Sequence, residues 1–63
     1  MDNQELYKKL IQTETMVRNM VMRGISSNEE LIEAVDKQFH PTTEWEQEMF
    51  SESIIYAKLG VLN

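Results

Sequence analysis

The chain has 63 residues, 41% of them hydrophobic and 27% charged, with no cysteine, two glycines, one proline and a formal charge of −5. A domain of this length buries only about 60% of the surface that its unfolded chain exposes, which leaves little room for both a core and an enclosed catalytic pocket. Without cysteine there is no disulfide framework and no thiolate metal site, so stability has to come from packing, within the chain or against a partner.

Breaker residues fall at Arg23-Gly24-Ile25-Ser26-Ser27-Asn28 and at His40-Pro41-Thr42-Thr43, dividing the chain into three segments that all carry the helical period. In the first, predicted over residues 3–23, Leu6, Leu10, Thr13, Val17 and Met20 are spaced 4, 3, 4 and 3 apart. Tyr7, Ile11, Met16 and Val21 widen that stripe on both sides. Gly24 suits the left-handed residue just beyond the helix, and Arg23 favours the negative end of the dipole. Asp2, Glu5, Lys8 and Lys9 leave the first fifteen residues without an apolar signal-like run. No stretch approaches the roughly 18 apolar residues of a membrane span. A soluble, cytoplasmic chain without membrane contacts is expected.

The second helix is predicted over 27–39, opened by a capping box of Ser26 with Glu29 or Ser27 with Glu30. Its expected core face is Leu31, Ile32, Val35 and Phe39, and Pro41 ends it. Thr43 with Glu46 is a further capping box, opening a third helix over 43–59 that carries Trp45, Met49, Phe50, Ile54, Tyr56, Ala57 and Leu59. Gly60 fits a second C-terminal cap, with Val61 and Leu62 able to close it. The reading is all-α: a small three-helix bundle, or a helical hairpin with a docked third helix. Apolar residues cover more of helix 1 than two short neighbours can hide. A homodimer through helix 1 is therefore expected, centred on Leu10, Val17, Met20 and Val21. The Glu14 and Arg18 pair reads first as an ion pair at the edge of the core with its heads in water, and second as a device that sets the register of that interface.

The functional groups of enzymes are sparse. There is no Gly-rich phosphate loop and no nucleophile elbow, and the only histidine abuts a proline turn, so no catalytic residue and no cofactor is assigned. Ser51 and Ser53 have no histidine at helical spacing to act as a base. Asp36 and His40 are four apart, but two ligands do not make a metal site. Direct nucleic-acid binding is disfavoured because helix 2 offers only Lys37 as a cation and helix 3 only Lys58.

Charge is divided unevenly. Residues 1–24 carry four cations against three acids, a net +1, whereas residues 25–63 carry two cations against eight acids, a net −6. Glu44, Glu48 and Glu52 form a ladder of like charges that helix stability does not explain; it reads as a solvated face that keeps the chain soluble or, alternatively, as an acidic docking surface. Four internal methionines, Met16, Met20, Met22 and Met49, are adaptable gap-fillers or contact residues. Trp45 stands among glutamates in the first turn of helix 3, where it either staples the His40-Pro41 turn or serves as a part-exposed binding anchor rimmed by carboxylates. These features predict a small, acidic, non-enzymatic regulator, adaptor or inhibitor that binds another protein through Trp45, Met49, Glu44, Glu48 and Glu52. An acidic nucleic-acid mimic, phage-encoded for example, that blocks a DNA- or RNA-binding protein is the alternative. A further alternative is an accessory or ligand-sequestering subunit with a site at the dimer interface.

Overall fold

A computed structural model describes residues 2–62 as three helices, α1 (Asn3–Met22), α2 (Asn28–Phe39) and α3 (Glu44–Leu62). No described residue is in a strand. The three segments agree with the hydrophobic period. Asp2 caps α1, its carboxylate accepting a hydrogen bond of 2.8 Å from the Glu5 N–H. At the other end Gly24 takes φ 96°, its N–H donates to the Val21 carbonyl and the Ile25 N–H donates to Met20. This pair of bonds is the Schellman closure for which a glycine in this place is suited.

The second turn is built differently from expectation. Ser27 occupies the N-cap of α2, but neither it nor Ser26 makes the hydroxyl-to-backbone bond of a capping box. The nearby Asn28 side chain instead accepts from the Lys58 ammonium of α3 at 3.1 Å. The exposed first-turn N–H groups of α2 are left to water. At its far end α2 stops at Phe39, and His40 adopts the left-handed conformation at φ 49°, immediately before Pro41.

The core gathers Leu6, Val17 and Val21 of α1, Leu31, Val35 and Phe39 of α2, and Phe50, Ile54 and Ala57 of α3. The Phe39 and Phe50 rings stack with their centroids 5.6 Å apart, joining α2 to α3. Thr13 is fully buried as well, its hydroxyl donating to the Lys9 carbonyl at 2.8 Å, so its polarity is satisfied inside α1. Ile32 departs from its expected place in the core and is 41% exposed. Leu31, Val35 and Phe39 form a narrow stripe, and Ile32, about 100° around the helix from Leu31, falls at its edge.

The principal packing is between α1 and α3, which run parallel. The start of α3, at Trp45 and Met49, lies beside Leu6, Tyr7 and Leu10, and its end, at Tyr56 and Gly60, lies beside Glu14 and Arg18. In an up-down-up arrangement the first and third helices point the same way, and α2 returns between their ends. Gly60 does not terminate α3. The helix continues through it to Leu62, with Val61 packed against the core four residues beyond Ala57. Burial of Val61 on the face of Ile54 and Ala57 outweighs the roughly 1 kcal/mol by which an interior glycine weakens a helix.

The two glycines therefore predict opposite responses to alanine. Gly24→Ala forces a methyl-bearing residue into a left-handed conformation and should destabilise by about 1 kcal/mol. Gly60→Ala meets no atom within 4 Å and should stabilise by about 0.5–1 kcal/mol. Urea denaturation followed by circular dichroism compares them directly.

Candidate interaction surface

The seam between α1 and α3 is open on the side away from α2. Near its beginning Asn3, Leu6, Tyr7 and Leu10 face Trp45 and Met49 across a shallow groove. Further along, Glu14 and Arg18 face Tyr56, Ala57 and Gly60. Lys58, which reaches α2, lies on the opposite side of α3. The five aromatic residues thus separate cleanly: Phe39 and Phe50 are in the core, whereas Tyr7, Trp45 and Tyr56 line the seam at 68, 55 and 69% exposure.

The start of α3 fixes where Trp45 stands. Thr43 is the residue before the helix, and its hydroxyl accepts from the Glu46 N–H at 3.1 Å. The buried Glu46 carboxylate reaches back to Thr42, accepting from both its N–H and its hydroxyl at 2.9 Å. This is the expected capping box displaced by one residue, because the carboxylate takes the N–H of Thr42 instead of that of Thr43. The Thr42 backbone bond, followed by its hydroxyl, holds the Glu46 carboxyl below its ordinary value against a smaller upward push from burial.

Of the residues expected to bind a partner, Trp45 and Met49 belong to the seam itself. Glu48 and Glu52 stand on the exposed flank of α3 next to it, and Glu44 begins that flank, in a row that also includes Gln47, Ser51 and Ile55. Among the described residues no Lys or Arg lies within 4 Å of these three carboxylates. The residues expected to drive self-association divide. Val17 and Val21 are buried in the chain's own core, and Leu10 and Met20 pack against it. Val17 and Val21 are therefore away from the surface, whereas Leu10 reaches the seam and the flanking Tyr7 and Ile11 of α1 remain exposed. Glu14 and Arg18 form an ion pair of 3.2 Å, half exposed, on the rim of the seam. Of the methionines, Met16 and Met20 fill gaps beside the core and Met22 is exposed.

Tyr7, Ile11, Tyr56 and Leu59 were not singled out as contact residues from the sequence, yet the fold presents all four as exposed apolar groups. A signal exists for Tyr56: Trp45, Met49, Glu52 and Tyr56 are spaced 4, 3 and 4, a second stripe on α3 beside the one containing Phe50, Ile54 and Ala57. Among the described residues no group of three His, Cys, Asp or Glu side chains is placed to hold an ion. The depression on α2 lined by Glu29, Ile32, Glu33, Asp36, Lys37 and His40 is the outer face of one helix. No described helix is long and apolar enough to cross a membrane. Comparisons with protein-family models, with curated proteins and with solved structures find no match for the chain.

Two predictions follow from this geometry. Because the folded value of Glu46 is lowered, its stabilising contribution is complete above the ordinary glutamate range and is lost as pH falls through the lowered value. The stability gap between wild type and Glu46→Ala should therefore be largest near neutral pH and close in acid, while Thr43→Ala should cost about 1 kcal/mol with little pH dependence. In thermal unfolding, Val17→Asp should abolish the folded state, since it places a charge among fully buried groups. Trp45→Ala should leave the melting transition nearly unchanged, because more than half of that side chain is already in water.

Proposed function

We propose that the chain is a small, non-enzymatic regulator or adaptor that works by binding another protein through the open seam of α1 and α3. The observation that carries this reading is the gathering of every exposed aromatic side chain on one face. Isolated apolar residues on a surface are ordinary, whereas a contiguous patch marks a contact site. Tyrosine, tryptophan and methionine are the residue types enriched in interface cores, and tryptophan and tyrosine are common among the few residues that dominate binding energy.

The size of the patch bears on the kind of contact. At their observed exposures Tyr7, Trp45 and Tyr56 together present about 350–400 Å². With Ile11, Met49 and Leu59 at its edges, the patch approaches the upper range for monomers of about 600 Å², but falls short of the roughly 800 Å² per partner of a standard stable interface. A reversible regulatory encounter fits that area better than an obligate complex. Occlusion or bridging of the partner is the corresponding mode of action, with the carboxylates of α3 contributing steering.

Self-association through α1 would use the same face, through Tyr7, Ile11 and the Glu14–Arg18 pair. An acidic mimic of nucleic acid would rely on Glu44, Glu48 and Glu52 instead. Pull-down from a lysate separates these readings. A protein bound at the seam should be lost with Trp45→Ala or Tyr56→Ala and largely retained at 0.5 M salt. A partner lost in the Glu44→Gln, Glu48→Gln, Glu52→Gln triple variant and at high salt, yet indifferent to Trp45→Ala, would replace this reading with the mimic.

A further inference from the structure

We infer that the occupant of the α1/α3 seam is a single amphipathic helix of a basic partner protein, lying along the seam with its lysine or arginine row toward α3. This rests on the reading of the seam as a binding face and specifies what enters it. Two parallel helices covered by α2 on one side only present the kind of groove that takes an apolar helix face. From the level of Tyr7 to that of Arg18 the groove spans about 16 Å, the length of a helix of roughly eleven residues, or three turns. A helix seated there completes a four-helix arrangement in which α1 and α3 are covered on both sides.

The charges along the two banks select the partner's character. On the α1 bank Glu14 is already matched by Arg18 at 3.2 Å. On the α3 bank Glu48 and Glu52, with Glu44 at the end of the row, have no cation within 4 Å among the described residues. The α1 edge carries the matched Glu14–Arg18 pair, with Lys8 beside Tyr7 at its outer margin, and the α3 edge carries unmatched negative charge. A partner helix with an apolar stripe and cations along one flank meets both edges.

A second copy of this chain meets them poorly. Each copy brings a net charge of −5. In a two-fold arrangement with α3 against α3, the row of Glu48 and Glu52 faces its own image. In the arrangement with α1 against α3, the glutamate row meets Lys8 at the outer margin of the seam as its one cation outside an ion pair among the described residues, because Arg18 is already paired. Nucleic acid is repelled by the same carboxylates.

The test uses the intact protein and two synthetic 18-residue helical peptides with the same leucine stripe, one flanked by lysines and one by glutamates. Titration calorimetry, with Trp45 emission as a second signal, should show binding of the lysine-flanked peptide with a blue shift. The glutamate-flanked peptide should bind at least tenfold more weakly. Tyr56→Ala should weaken binding of the lysine-flanked peptide tenfold or more, and Glu48→Gln with Glu52→Gln should weaken it threefold or more and flatten its salt dependence. Removing the same kind of charge from α2, with Glu29→Gln, Glu30→Gln and Glu33→Gln together, should leave it unchanged. Circular dichroism establishes that each variant is folded, as expected for substitutions at exposed positions.

Equal binding of the two peptides would overturn the inference, as would an equal loss from the α2 and α3 charge variants, which would mean unspecific attraction. So would sedimentation of the free protein at 100 μM as a dimer that Tyr56→Glu dissociates, since a second copy would then occupy the seam. If neither peptide binds while a lysate protein is still retained in a Trp45-dependent way, the helical partner is wrong and the broader reading of the face survives. Loss of both removes the face as a binding site.

Discussion

The arrangement depends on the close parallel packing of α1 against α3. Their mutual interface contains small or β-branched side chains, Thr13 and Val17 from one helix and Ser53 and Ala57 from the other, all buried. Helix axes approach to about 8–10 Å according to the side chains between them, and residues of this size favour the near end of that range. Leu6, Val21, Phe50 and Ile54 complete the core around these positions. Once α1 and α3 are joined in this way, α2 has one role left, to return the chain and cover one side of the pair with Leu31, Val35 and Phe39. The other side stays open.

That openness follows from the length of the chain as much as from its pattern. With 63 residues and three helices, each helix has at most two neighbours, so a helix that is apolar on more than one face must show some of it to water. Helix α2 has a single apolar stripe and hides it. Helices α1 and α3 each have a second stripe, and the parallel pairing puts these side by side instead of on opposite ends of the molecule. An antiparallel pairing of the same two helices would set Trp45 near Arg18 and Tyr56 near Tyr7, dispersing the tryptophan and methionine from the leucines that now lie beside them.

The helices, their approximate ends, the left-handed glycine at position 24 and most of the core were legible in the sequence because they rest on local rules: a 3.6-residue period, breakers and caps. What escaped was set by contacts between segments. Gly60 carries a C-terminal signal, but Val61 on the buried face holds the last turn helical. Ser26 and Ser27 resemble a cap, yet the hydroxyl bonds are not made. Val17 and Val21 read as part of a self-association surface, because nothing local states that α3 lies parallel to α1, yet both belong to the chain's own core. The candidate site was half legible for the same reason. Trp45 and Met49 stood out by residue type, whereas the contribution of Tyr7 and Tyr56 depends on contacts between distant segments, Tyr7 with Trp45 and Tyr56 with Glu14 and Arg18.

The cap at the start of α3 ties the stability of the fold to the geometry of the face. Glu46 is the third residue of the helix and Trp45 the second, so the bonds from Thr42 and Thr43 that fix the Glu46 backbone and carboxylate also fix the direction in which the indole leaves the helix. The indole itself is largely in water and adds little packing to hold it there. A charged, backbone-bonded carboxylate is a stronger anchor than a neutral one, because hydrogen bonds to an ionised acceptor are shorter and roughly twice as strong. Glu46, a buried residue, therefore fixes the backbone from which the exposed Trp45 indole projects. The exposed row of Glu44, Glu48 and Glu52 has no such part in holding the start of the helix.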